Sequence, residues 1–423
     1  MKFTGVGFGF FYFFILFSCE TDKTSSDFMD SVTPVLDLPK RSVDSSVTET
    51  TTKTLCIDGF AGGYPCSGYD LMARIPLSRF KSEEANDSWG WTDSDTAKEY
   101  AIIGLNDGTG FVDISDPTNP VYLGKLPTAT ESSSWRDIKV YKNYAYIVSE
   151  AKDHGVQVFD LTKLRELESE QNFTSDGVEN TIKRAHNIFI NEESGFGYVV
   201  GTNRENEYDG GVYFLDLVDP LNPFVVGGYG EQGYSHDAQV VNYKGPDADY
   251  LGKEIYIGLN ESNIVILDVT DKKKPIFITS AVYQNLVYTH QGWFTEDQRF
   301  FILGDEKDEM EFGGRTRSLI FDLEDLDNPV LHFSYRGATN AIDHNGYVIN
   351  NLLYLANYTA GIRVIDIKNI ENKQMSEVGY FDTYPKDNST DFAGVWNVYP
   401  FFESGVILIS DLNKGLFLVK KSE

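Results

Sequence analysis

HDAQVVNYKGPDADYLGKEIYIGLNESNIVILDVTDKKKPIFITSAVY, residues 236–283, decides the fold. It holds four short runs of alternating or β-branched residues: HDAQVVNY, EIYIGLN, NIVILDV and IFITSAVY. Gly, Asn, Asp and Pro separate them, so each run reads as a strand. The third run recurs along the chain. GTGFVD ends at Asp113, GVQVFD at Asp160, GVYFLD at Asp216, NIVILD at Asp268, SLIFD at Asp322, GIRVID at Asp366 and GLFLVK at Lys420. These seven copies lie 44 to 56 residues apart. A period of that length built from short strands is a propeller blade. The chain is therefore predicted to be all-β, a seven-bladed β-propeller.

The turn after the third strand repeats too. A second Asp follows the first by three residues and Pro follows by seven: Asp113, Asp116, Pro120; Asp216, Asp219, Pro223; Asp268, Asp271, Pro275; Asp322, Asp325, Pro329. Asp bonding its own following backbone, with Pro fixing φ before an edge strand, explains the spacing. These carboxylates are turn formers, not catalysts. The seventh copy has only a few residues after it, so the last blade lacks an outer strand. YDLMARIPL, at 69–77, resembles the outer strands elsewhere and is expected to close the ring. Closure removes a sheet edge that would otherwise invite aggregation.

The N-terminus reads as a targeting segment. Lys2 precedes an almost wholly apolar stretch at 3–17, too short for a comfortable membrane span. Leu16-Phe17-Ser18-Cys19 then reads as a lipobox, giving a signal peptide at 1–18 and lipidation of Cys19, a membrane anchor. Residues 19–54, rich in Ser, Thr and Asp, are expected to be a disordered tether. The propeller takes 55–423. Cys56 and Cys66 remain as a pair for a disulfide in an oxidising, extracytoplasmic compartment. The net charge of −28 and the absence of a basic stripe exclude nucleic-acid binding by electrostatics. The expected state is a monomer on a bacterial cell surface or outer membrane.

Strand order assigns residues to one face. In a propeller the loop entering the innermost strand and the loop between the second and third strands open on the same side. The positions taken as entry to the innermost strand are Trp89, Arg136, His186, His236, His290, His344 and Trp396. Of six histidines in the chain, four fall here in consecutive blades. The second-to-third loops bring Glu150, Glu261, Asp305 and Glu306, and Asp237 follows His236. Three readings compete for this ring. The side chains knit neighbouring blades; or Trp89, Trp135, Trp396 and Arg136 hold a glycan, peptide or small anion; or His186, His236, His290 and His344 with nearby carboxylates form a divalent-metal or acid–base centre, as in a metal-assisted polysaccharide lyase or hydrolase. No nucleophile elbow, P-loop or zincin motif is present. His154 and His332 sit outside the register and read as structural.

Several further stretches carry a resemblance. SWRDIKVYKNYAYIVSEAKDHGVQVFDLTKL (134–164), AHNIFINEESGFGYVVGTN (185–203), SHDAQVV (235–241), HQGWFTED (290–297), AIDHNGYV (341–348) and the closing SDLNKGLFLV resemble the choice-of-anchor B family, whose blades are related to LVIVD repeats. The resemblance covers roughly 55–420. It implies an extracytoplasmic propeller fixed to the cell surface, here through Cys19 rather than a C-terminal sorting signal. It implies no particular activity. The functional expectation is thus a surface binding or scaffolding module acting through the ring-bearing face.

Overall fold

The computed structural model describes residues 53–167 and 169–423 and the short strand Ser31–Val32. The expected signal peptide, the lipidation residue Cys19 and the tether up to residue 52, apart from Ser31–Val32, lie outside the described residues.

The alternating motif at 236–283 forms four antiparallel strands: Asp237–Asn242, Glu254–Leu259, Ile264–Asp268 and Ile276–Ala281, paired in that order. Among the described residues there are seven such sheets. Their innermost strands are Ala85–Thr92, Arg136–Tyr141, Asn187–Asn191, Asp237–Asn242, Thr289–Phe294, Gly346–Ile349 and Val395–Tyr399, which define blades one to seven. Each sheet is apolar on both faces and buries them against its neighbours. Seven buried clusters result, one at each blade junction. Ile255, Ile257 and Ile266 of blade four, for example, pack with Phe294, Phe301 and Leu319 of blade five. The last cluster joins Leu408 and Leu416 of blade seven to Ile103 and Leu105 of blade one, so the circle is complete.

The aspartates behave as turn formers. Asp113, Asp216, Asp268 and Asp322 each accept a hydrogen bond from the backbone N–H two residues on, as do Asp116, Asp219, Asp271 and Asp325. Just before the Asp-bearing end of the third strand, its pairing with the outer strand slips by a residue. The slip falls between Phe111 and Val112, Phe214 and Leu215, Ile266 and Leu267, and Ile320 and Phe321. This repeated bulge bends each outer strand.

Blade seven draws its outer strand from the other end of the chain. Tyr69–Ile75 pairs antiparallel with Gly415–Lys421, with Ile75 opposite Leu416 and Tyr69 opposite Lys421. Just before it, Tyr64–Ser67 pairs with Gln374–Phe381 of blade six. The N-terminal segment thus clasps two blades. Cys56 and Cys66 are joined by a disulfide within this clasp. Closing so short a loop is worth about 3 kcal/mol on the chain-entropy account. A Cys56→Ser/Cys66→Ser double variant is expected to unfold at clearly lower denaturant, and a reducing agent should lower the wild-type midpoint equally; a coincident pair of denaturation curves would contradict this.

Candidate functional site

Four consecutive blades deliver a histidine to one opening. His186, His236, His290 and His344 each stand within two residues of the first residue of their innermost strands. Their rings follow one another like tilted steps. Centroids are 4.5 Å apart from His186 to His236, 4.6 Å from His236 to His290 and 4.4 Å from His290 to His344. Trp396 of blade seven continues the arc, 4.7 Å from His344. At blade three the backbone makes room for this: Gly201 has φ of +68°, and a Cβ there would lie 2.1 Å from the His186 Cβ. Only glycine fits.

One nitrogen of most rings is spoken for. His236 Nδ1 donates to the His290 carbonyl at 3.3 Å and His344 Nδ1 to the Trp396 carbonyl at 2.5 Å, each reaching into the next blade. His186 Nδ1 donates to Glu150 Oε1 at 2.6 Å. His290 Nδ1 is buried and unpartnered. Blade knitting is therefore part of what these residues do. It fixes the tautomer and leaves Nε2 of His186, His236 and His344 outside the ladder.

Electrostatics separates the four. Burial holds His236 and His290 well below the usual imidazole range, and neighbouring imidazoles add to this. Burial and His290 push His344 down to about 3. His186 goes the other way: burial opposes its charge, but the Glu150 carboxylate outweighs it and raises its pKa. At neutral pH the arc thus holds three neutral imidazoles with lone pairs, ending in one inclined to be an imidazolium.

The arc lines a cavity of about 540 Å³. Trp135, Tyr234, Tyr288, Tyr358, Phe392 and three carboxylates, Glu84, Glu150 and Glu306, line it as well. Lys307 also lines it, held over the Tyr288 ring with its Nζ 3.6 Å from the centroid. Trp135 and Phe392 are 46% and 43% exposed and form the rim. Three of the aromatic residues have a readable origin. Tyr234 and Tyr288 each precede their blade's histidine by two residues, which in extended chain points both to one side. Tyr358 follows Asn357 in a second-to-third loop. Phe392 comes from a loop with no periodicity.

The other residues expected at the mouth lie elsewhere. Trp89 is the fifth of eight residues in its strand, deeper in the channel, where Lys139 Nζ sits 4.5 Å from its ring and Tyr347, Tyr399 and Phe401 surround it. Counting back from the repeat Asp misplaced it because two turns compensate. Blade one joins its first strands by a long turn, Thr92 pairing with Glu99, and its next by a tight one, Leu105 pairing with Gly108. Blade two does the reverse, with Tyr141 pairing with Tyr144 and a long loop from Ser149 to Val156. Arg136 is buried against the blade-one junction, donating to the Leu105 carbonyl at 3.1 Å and to His154 Nε2 at 2.9 Å. Burial lowers its pKa to about 10, and His154 is pushed down to about 4 by burial and by Arg136. Asp237 is half-buried beside a deeper group, the buried Asp87, Asp137 and Lys139; desolvation, then Asp137, raises it to about 7. Asp305 accepts from Tyr283 Oη and from the backbone N–H of Val287 and Tyr288, all at 2.8 Å, and so positions Tyr288 without lining the cavity. Glu261 pairs with Arg204 at 2.8 Å and lies beside the cavity-lining Tyr288 without lining the cavity itself.

One subset converges further. Glu306 Oε1 lies 3.8 Å from His290 Nε2 and 3.6 Å from His344 Nε2, and accepts a 2.9 Å hydrogen bond from Tyr358 Oη. These three ligand-type atoms lie within 4.8 Å of one another. His186 and His236 are outside this group, so the four-histidine centre narrows to two imidazoles and a carboxylate.

Comparison with known proteins agrees with the architecture. The LVIVD repeat family model matches residues 98–128 and 134–154, which span most of blade one and the start of blade two. No curated protein matches the chain. Among solved structures, the β-propeller domain of Cps50 (Swd1) from Myceliophteria thermophila is similar, with a TM-score of 0.52 and 11% sequence identity over 81% of this chain and 97% of that one. At that identity the likeness speaks to fold alone. This chain is a seven-bladed β-propeller carrying LVIVD repeats.

Proposed function

We propose that the protein is an extracytoplasmic, lipid-anchored binding module whose mouth takes a neutral glycan. The anchor reading is supported by the apolar run at 3–17 followed by Leu16-Phe17-Ser18-Cys19, by the Cys56–Cys66 disulfide, which suits an oxidising compartment, and by the resemblance to choice-of-anchor B propellers. The ligand reading rests on one observation: an aromatic and imidazole wall around about 540 Å³, with Trp135 and Phe392 standing exposed at its rim. Sugar rings stack on such faces, and Glu84, Glu150 and Glu306 offer acceptors to hydroxyls. The carboxylates also disfavour anions.

A glycan array followed by calorimetry tests this. Trp135→Ala and Phe392→Ala are each expected to weaken an array hit roughly 10–100-fold, since a stacked aromatic face is worth about 1.5–3 kcal/mol. Both side chains are exposed, so thermal stability should not change. A broad array without a hit, or hits indifferent to both variants, would direct the reading to a protein partner. A second reading is favoured by the convergence of Glu306 on His290 and His344: metal-assisted cleavage of a bound polysaccharide. Release of shortened chains from an array hit would support it.

A further inference from the structure

We propose that His290, Glu306 and His344 form a zinc site that opens into the mouth cavity. This inference stands whether or not the mouth binds a glycan.

The donor set is two imidazole nitrogens and one carboxylate oxygen, from the fifth and sixth blades. Such a set suits Zn²⁺, and three protein ligands with a free side is the arrangement of an open zinc site. The contacts of 3.6 and 3.8 Å between Glu306 Oε1 and the two Nε2 atoms are close to those required. Ligand lengths of about 2.0–2.2 Å at tetrahedral angles place donor atoms roughly 3.3–3.6 Å apart, so little closure is needed.

The surroundings support the same assignment. His344 Nδ1 donates to the Trp396 carbonyl, which commits its lone pair to Nε2, the nitrogen nearest Glu306. Tyr358 Oη holds the Glu306 carboxylate in place. A carbonyl on the far nitrogen of a ligand histidine and a donor on a ligand carboxylate are the outer partners metal sites use. All three ligand residues are buried, yet all three line the cavity, so an ion bound there has solvent or ligand access on one side.

The test uses the full chain, purified in detergent, stripped with a chelator and titrated with Zn²⁺ alone. One equivalent is expected to bind. Loss of an outer partner costs metal sites about 10–100-fold, so Glu306→Gln and His290→Asn, which remove ligands, are expected to weaken binding by at least about 100-fold. Tyr358→Phe should weaken it within that lower range. His332→Asn, outside the arc and the cavity, should leave it unchanged. Co²⁺ in place of Zn²⁺ should give the intense visible absorption of a four- or five-coordinate ion, lost in Glu306→Gln. Should His290→Asn fail to fold, the nearly isosteric Glu306→Gln and Tyr358→Phe carry the test. Absence of stoichiometric zinc, unchanged affinity in Glu306→Gln, or equal loss in His332→Asn would each overturn the assignment.

Discussion

Deleting residues 69–75 is expected to abolish the cooperative fold. That strand carries Leu71, Met72, Ala73 and Ile75, each at most 4% exposed, into the junctions on both sides of blade seven. Burial of the three larger side chains is worth roughly 1.5–3 kcal/mol each, before any ladder hydrogen bonds are counted. Whole-domain stability is only about 5–15 kcal/mol, so most of it goes with the strand. The deletion also bares the edge of Gly415–Lys421, a template for pairing with another chain. The expected product is aggregated, or oligomeric through that edge, by sedimentation and calorimetry. A monomer with an unchanged melting temperature would show that the ring does not depend on this closure.

The second large effect concerns Asp343, which the mouth does not use. It is 1% exposed, and neither carboxylate oxygen has a hydrogen-bond partner. Burial, then the nearby Asp308 and Asp305, raises its pKa well above the ordinary carboxylate value, with Arg317 opposing and Glu306 adding to the rise. A group raised in the folded state holds its proton there while the unfolded chain releases it. Its contribution is complete below the ordinary carboxylate value and declines as pH rises towards the shifted one. Over that interval each such proton costs about 1.4 kcal/mol of stability per pH unit. Glu309, pushed up to about 11 by burial and by Asp343, acts in the same direction. Asp343→Asn keeps the shape and removes the charge. It is expected to be more stable than wild type at neutral and alkaline pH, with a shallower decline as pH rises. Urea denaturation across that range decides it; parallel wild-type and variant profiles would mean that Asp343 is ionised in the folded protein.

The architecture was legible because a blade is a local object. Its strands, its Asp–x–x–Asp turn and its period all sit within one short window, as residues 236–283 show. The histidines were legible because their blades place them at equivalent entry positions. Trp89 was not, since a long first turn and a tight second one in blade one preserve the count while sliding the strand by several residues. The convergence of Glu306 with two imidazoles was only half legible. Glu306 was expected on the right face, but which two of four imidazoles it meets depends on side-chain directions across two blades. Sequence period carries no such information. Phe392, on an irregular loop, had no signal at all.

The account turns on residues about fifty positions apart in sequence meeting ring to ring. Histidine-labelled NMR reads this directly. Cross-ring nuclear Overhauser contacts are expected to link His186 to His236, His236 to His290 and His290 to His344 in that order, with the last three neutral in mildly acidic solution and His186 protonating at higher pH than they do. Four histidines without mutual contacts, titrating alike near the ordinary imidazole value, would contradict it.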